Sequence, residues 1–320
     1  MTAIDVFNGD ADGICALTQL RNAEPTDSLL VTGVKRDIAL LERVEAKAGD
    51  RVTVLDVSLD KNRDGLVKLL AAGASVFYAD HHFAGDIPAS DRLEAHIDTS
   101  PDVCTSLLVD DHLGGSFALW AVTGAFGDNL DASARRRAEP LGLPEHEVEQ
   151  LRNLGTYINY NGYGAALEDL HFAPADLFER VRPFASPLEF IAADADTFGR
   201  LESGYRDDMA AAEALRPTQE AASTAVFILP DEGWARRVSG VYSNRLANDT
   251  PGRAHAVLTE RADGSYLVSV RAPLDNKVGA DELCRRFPTG GGRKAAAGIN
   301  ELPADQLDDF IEQFARFYGA

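Results

Sequence analysis

Short apolar runs alternate with helically spaced stretches through the first hundred residues. Ile4–Phe7 leads into a helical stretch from Ile14, and Leu29–Val31 into one from Ile38. Val52–Leu55 leads into a third, Lys61 to Ala72, which closes on Gly73. Ser75–Ala79 and Ala95–Ile97 are further apolar runs. This rhythm predicts crossover units and a mainly parallel sheet with helices on both faces. From Cys104 to about Pro217 the spacing turns helical, over Leu107–Leu113, Phe117–Phe126, Glu145–Ile158 and Leu188–Leu215. Strands return at Thr224–Leu229, Ala254–Thr259 and Tyr266–Val270. A glycine-rich turn, a helix starting among Ala295–Ala297 and an amphipathic helix over Ala304–Phe317 complete the pattern. The expectation is an α/β chain: a sheet domain over 1–205, a helical linker over 206–222 and a smaller α/β domain over 223–320.

The length of 320 residues suits two domains. The composition, 45% hydrophobic and 26% charged, is that of a folded soluble chain. No apolar stretch approaches the roughly 18 residues of a membrane span. The opening MTAIDVFNGDADG lacks the basic and apolar regions of a secretory signal. Cys15, Cys104 and Cys284 are scattered and form no CxxC pair, so neither disulfides nor zinc fingers are expected. A cytoplasmic location is the resulting expectation. The net charge of −20 argues against long duplex DNA as a partner. The charge is uneven, however: Ala235–Ile299 carries eleven Lys and Arg against six Asp and Glu. That segment is suited to anions.

The placement of the acids carries the chemistry. Ile4–Phe7 runs into Asn8, Gly9, Asp10, Ala11, Asp12 and Gly13; Val52–Leu55 runs into Asp56; Ser75–Ala79 runs into Asp80, His81 and His82. In an open α/β sheet, strand C-termini line the ligand-binding edge. Asp10, Asp12, Asp56, Asp80 and His81 are therefore expected to converge. Crowded carboxylates are costly without a cation. Oxygen ligands with one imidazole suit Mn²⁺ or Mg²⁺ better than Zn²⁺, and a metal pair can activate water and hold a phosphoryl oxygen. The plainer alternative is a set of helix-capping aspartates.

GDADG at Gly9–Gly13, LDVS at Leu55–Ser58 and ADHH at Ala79–His82 together resemble the DHH phosphoesterase family, and GGGRKAAAG at Gly290–Gly298 resembles the motif of its associated DHHA1 domain. The resemblance covers nearly the whole chain. It implies that Asp10 and Asp12 each ligate one metal, that Asp56 bridges both and that His81 is a ligand. Asp80 and His82 then orient the ligands or touch substrate, with His82 a proton donor to the leaving oxygen. The family's further ligand aspartate maps to Asp128, whose plainer reading is an acid at a helix end; Asp98, closing the Ala95–Ile97 run, reads as a decoy or as a support behind the ligands. Arg271 matches the family's strand-end arginine, and Gly290, Gly291 and Gly292 supply backbone N–H groups for an anion nest. Two departures stand out. Val6 occupies the place of a common metal-binding His, for which Asn8 is a partial substitute. Arg293 replaces the usual His of the C-terminal motif and can grip a phosphate bidentately.

The resemblance implies a phosphoesterase of the compact type that acts on short oligoribonucleotides, phosphoadenosine phosphate or dinucleotides, with two Mn²⁺ or Mg²⁺ ions and a homodimer left open. A pyrophosphatase or polyphosphatase ranks lower, because such family members carry an SRKKQ-like motif instead of GGGxxxAAG. A non-catalytic nucleotide sensor is the third reading and draws on Val6. Other features are ambiguous. Lys35 and Arg36 suit either a phosphate or a solvated loop. Arg135–Arg137 reads as a solvated face. Tyr157, Tyr160 and Tyr163, interleaved with Asn159 and Asn161, suit a domain junction or base stacking. His96 reads as structural, and Thr105 or Ser106 as a helix cap.

Overall fold

The computed structural model describes residues 1–319. The chain separates into two compact units, Met1–Ser203 and Gly204–Ala320. The first unit opens with β1 (Ala3–Phe7), α1 (Ala11–Ala23), β2 (Leu29–Val31), β3 (Arg51–Leu55), α2 (Leu59–Ala71), β4 (Ser75–Asp80) and β5 (Leu93–Ile97). These five strands form one parallel sheet in the order β2-β1-β3-β4-β5. The register pairs Val6 with Val54 and Val54 with Tyr78. One sheet face therefore presents Ile4, Val6, Val52, Val54, Val76 and Tyr78, which pack on Leu59, Leu66 and Leu69 of α2. Burying each such large side chain contributes about 1.5–3 kcal/mol.

Strand alternation puts Asp5 and Phe7 on the other face. Asp5 is fully buried, and the Arg21 guanidinium of α1 donates to both its oxygens at 2.6 and 2.8 Å. A charge placed there is tolerable only because it is paired and bidentate. Phe7 meets the ring of Phe178 at 5.6 Å. The helical region comprises α3 (Thr105–His112), α4 (Ala118–Gly127), α5 (Asp131–Ala138), α6 (Glu145–Asn161), α7 (Pro174–Val181), α8 (Pro187–Ala193) and α9 (Ala195–Glu213). Two expectations change here. The stretch from Ile38 contains only a 3₁₀ turn, Leu40–Arg43. The Asn62 side chain accepts from the Leu41 amide and donates to the Ile38 carbonyl, satisfying groups that a helix would otherwise pair. The span Leu188–Leu215 is two helices, because Asp194 stops α8 and its carboxylate takes both the amide and the hydroxyl of Thr197 in α9.

The second unit contains β6 (Gln219–Glu220), β7 (Thr224–Leu229), α10 (Gly233–Asp249), β8 (Ala254–Glu260), β9 (Tyr266–Arg271), α11 (Ala280–Cys284), β10 (Gly290–Gly292), β11 (Ala296–Leu302) and α12 (Leu307–Tyr318). Its sheet runs β10-β11-β9-β8-β7-β6. Only β7 and β8 pair in parallel, and α10 is their crossover. Val268, Val270, Leu258 and Ile299 share a core with Phe310 and Phe314 of α12. Ala295–Ala297 start no helix; they lead into β11, which pairs antiparallel with β10. Gly290 must be glycine because a Cβ there would lie 1.7 Å from the Cys284 carbonyl oxygen.

Candidate metal centre

The local conformation of three strand ends aims the acids. After β1 the chain turns into α1, and Asp10 caps that helix: its Oδ1 accepts from the amides of Asp12 and Gly13 at 3.0 and 3.1 Å. Gly13 permits the turn, since a Cβ would lie 2.2 Å from the Asn8 carbonyl oxygen. Asp12, in the first turn of α1, points at the start of α3. Its two oxygens accept from the Thr105 and Ser106 amides at 2.7 Å each. The unpaired N–H groups of a helix N-terminus stabilise an anion in this way. The cap of α3 is thus Asp12, distant in sequence, and not Thr105 or Ser106. After β3, Asp56 takes a left-handed conformation with φ of +56°. Such a conformation costs a non-glycine residue roughly 1–2 kcal/mol, and Asp56 is one of only two non-glycine cases among the described residues. Its Oδ1 accepts from the Thr105 hydroxyl at 3.3 Å.

β4 ends in Asp80, followed by the two histidines. His81 Nε2 lies 3.5 Å from Asp56 Oδ1 and 3.7 Å from Asp128 Oδ2, the latter at the C-terminal end of α4. His82 Nδ1 lies 2.7 Å from Asp80 Oδ1 and 3.8 Å from Asp56 Oδ1. Two ligand sets result, Asp12–His81–Asp128 and Asp56–His81–His82, each with donor atoms within 4.8 Å of one another. His81 belongs to both.

Asp10 belongs to neither set but lies beside Asp56, and Lys35 takes its second oxygen. Lys35 Nζ lies 2.5 Å from Asp10 Oδ2 and 2.8 Å from Asn159 Oδ1, with the Tyr163 ring centroid 5.2 Å away. Burial alone would raise the Asp10 pKa; the charge and hydrogen bond of Lys35 reverse this and lower it. Burial likewise opposes the charge on Lys35, but Asp10 holds its pKa well above the ordinary lysine value. Asp56 has no such partner. Burial, then Asp10 and Asp12, push its pKa well above the usual carboxylate range. Burial also pushes Asp128 up to about 6, against the pull of Lys35. Burial works to lower His82, yet its hydrogen bond to Asp80 raises it overall.

These shifts describe a site with more negative charge than its protein cation can neutralise. Two buried oxygens reinforce the point, since Asn8 Oδ1 and Asp80 Oδ2 have no hydrogen-bond partner. Buried oxygen acceptors left unpaired are costly. Carboxylate and amide oxygens with one or two imidazoles fit a hard divalent cation such as Mn²⁺ or Mg²⁺. Val6 is fully buried in the sheet core and offers no ligand. Asp98 is occupied in a turn, accepting from the Ser100 amide.

The remaining candidates lie in the second unit. The Arg271 side chain, at the end of β9, donates to Asn244 Oδ1 at 2.7 Å and to the Ser269 hydroxyl at 2.9 Å. Gly290, Gly291 and Gly292 form the terminal strand β10, opposite Ile299, Gly298 and Ala297. Arg293 follows at the exposed hairpin end, where it and Ala296 exchange both backbone hydrogen bonds. The triple glycine is therefore a strand, not a turn.

Residues 221–320 match the DHHA1 domain family. No curated protein matches the chain by sequence. Among solved structures, the chain resembles a manganese-bound exonuclease RecJ, with a TM-score of 0.63 and 18% identity over 99% of this chain and 90% of that one. A Mn²⁺ complex of RecJ from Thermus thermophilus gives a TM-score of 0.64 at 18% identity, over 99% of this chain and 52% of that one. The pGpG-specific phosphodiesterase PggH from Vibrio cholerae gives 0.59 at 15% identity, over 100% and 99% of the two chains. The chain is thus a two-unit α/β protein that shares its fold with RecJ and PggH. Its C-terminal residues are a DHHA1 domain.

Proposed function

We propose that this chain is a Mn²⁺- or Mg²⁺-dependent phosphoesterase that hydrolyses small nucleotides or short oligonucleotides. The observation that carries the reading is the convergence of Asp12, Asp56, Asp128 and His81, from four distant parts of the chain, on donor sets that close within 4.8 Å. Bound there, a metal pair supplies a water of lowered pKa and a positive field for the phosphoryl oxygens. In the proposed assignment Asp10, Asp12, Asp56, His81 and Asp128 would hold the ions, with His81 common to the two sets of ligands and Asp10 exchanging Lys35 for an ion. Asp80 holds His82 by Nδ1, which leaves Nε2 to give a proton to the departing oxygen. Lys35 neutralises Asp10 and sits where it can contact a phosphate. Arg271, Gly290, Gly291, Gly292 and Arg293 are proposed to hold the substrate's anionic groups. The folds of RecJ, an exonuclease, and PggH, a pGpG-specific phosphodiesterase, support phosphodiester substrates.

The test is a turnover panel with Mn²⁺: pGpG, short RNA, 3′-phosphoadenosine 5′-phosphate and pyrophosphate. We expect a nucleotide substrate to be cleaved, and Asp56→Asn to cut that activity by ~100-fold or more while the fold survives, since even indirect supports of a metal are worth 10–100-fold. Full activity in Asp56→Asn overturns the assignment. Pyrophosphate as the preferred substrate selects the pyrophosphatase reading. A sensor reading is favoured by the buried Val6 and the Lys35–Asp10 pair; it requires nucleotide binding without turnover in any divalent ion.

A further inference from the structure

A second constellation of ligands lies at the other end of α3. Thr105 and Ser106, at the helix start, hold Asp12; His112, its last residue, lies about 10 Å further along at 1.5 Å per residue. There His112 meets Glu94 and His96, which share one face of β5. Donor atoms of Glu94, His96 and His112 all lie within 4.8 Å of one another. None of the three belongs to the acidic centre.

The two imidazoles are held in place by packing. Their rings are 4.8 Å apart, and the Phe77 ring lies 5.2 Å from His96 and 5.0 Å from His112. Phe77 is the sheet partner of Glu94, so the aromatic shelf and the carboxylate stand side by side on adjacent strands. Glu94 Oε1 lies 2.8 Å from His96 Nε2. Two rings restrained by a shared aromatic neighbour lose less rotamer freedom on binding a cation than free surface histidines would. Glu94 and His112 also line a cavity of about 420 Å³ at the N-terminal ends of the strands, with Arg51 and Arg92 on its wall. This is the sheet edge opposite the aspartates.

We propose that Glu94, His96 and His112 bind a borderline divalent cation of the Zn²⁺ class. Two imidazole nitrogens and one carboxylate oxygen select Zn²⁺, Co²⁺ or Ni²⁺ over Mg²⁺ and Mn²⁺. Three protein ligands leave a fourth tetrahedral position for water or an anion. Tetrahedral bonds of about 2.0–2.2 Å need donors closer together than 4.8 Å, and the exposed Glu94 side chain can close that gap by rotamer change. The cation would clamp β5, a terminal strand of the sheet, to the end of α3. It differs from the acidic centre in donor chemistry, place and metal preference.

The experiment counts bound Zn²⁺ by equilibrium dialysis and elemental analysis, in the full chain and in the double variant His96→Gln/His112→Gln. The acidic centre is common to both proteins, so its own zinc cancels and the outcome does not depend on the phosphoesterase reading. We expect the double variant to hold one Zn²⁺ fewer, to hold the same number of Mn²⁺, and to melt normally in chelator. Zn²⁺ should also raise the melting temperature of the unaltered chain more than that of the variant. Equal zinc counts overturn the proposal. If the double variant does not fold, Glu94→Gln, a change at an exposed position, takes its place: weakening of the extra Zn²⁺ by ~10-fold or more supports the site, and unchanged affinity overturns it.

Discussion

Lys35 and Asp56 show how one cluster assigns opposite roles to neighbouring charges. Asp10 is stabilised as an anion by Lys35, whereas Asp56 is held near the carboxylates of Asp10, Asp12 and Asp128 with only the His82 imidazole to offset them. Removing the ammonium should therefore reveal the repulsion. In Lys35→Met the metal-free protein should lose about 3 kcal/mol, the scale of a broken, largely buried ion pair. Mn²⁺ should restore most of that loss, because a metal takes over the neutralisation of Asp10. Urea denaturation with and without Mn²⁺ measures both. Equal losses in the two conditions would mean that Lys35 serves packing and not the charge balance of the centre. Sequence alone leaves Lys35 open between a phosphate contact and a solvated loop, since nothing in a linear pattern reveals that the turn after β2 folds back onto Asp10. The same holds for Thr105 and Ser106: a Ser or Thr at a helix start reads as a cap, and only the folded chain shows Asp12 filling that role.

At the scale of elements, the strand ends were legible because buried parallel strands are continuous apolar runs and the acids follow them directly. The helices were less so. α5, rich in charge, carries too little regular apolar spacing to stand out, and α7 is only eight residues long, although Leu177, Phe178 and Val181 keep a helical spacing behind Pro174. The triple glycine was misread because glycine signals a turn unless close packing, as of Gly290 on Cys284, demands it within a strand. β8 carries a further consequence of burial. His255 is fully buried, its Nε2 accepts from Arg253 Nε at 3.1 Å, and burial followed by Arg253 lowers its pKa to about 4. In the unfolded chain it titrates near 6.5. Between these values the unfolded state takes up a proton that the native state refuses. Stability is therefore present above pH 6.5 and lost as pH falls toward 4, by up to about 3 kcal/mol at 1.36 kcal/mol per unit. His255→Gln, which retains an acceptor for Arg253, should flatten this dependence. Urea midpoints at pH 7 and pH 4.5 for both proteins make the comparison; an unchanged slope would place the acid sensitivity elsewhere.

Charge is spread unevenly over the whole molecule, although both units are net acidic. The acids that define the centre belong to Met1–Ser203, and the basic excess of Ala235–Ile299 belongs to Gly204–Ala320. A locally basic stretch within an acidic chain suits the grip on a substrate's anionic parts proposed above for Arg271 and Arg293. Interactions made equally in ground and transition states lower KM without raising kcat, whereas ligands of the reacting centre act on kcat. Arg293 is the discriminating position. It is exposed at the β10–β11 hairpin, so Arg293→Ala removes a cation without opening a cavity in the core. We expect this variant to raise KM by ~10-fold while kcat changes less than about threefold, in line with the loss of one charged hydrogen bond of about 1.5–3 kcal/mol. Arg271→Ala is a weaker probe, because its ties to Asn244 and Ser269 make it part of the fold as well. Steady-state kinetics on whichever nucleotide the panel selects decides the matter. A fall in kcat with unchanged KM would bring Arg293 to the reacting phosphate, and no change in either would remove the basic hairpin from catalysis and leave the acidic unit to bind as well as cleave.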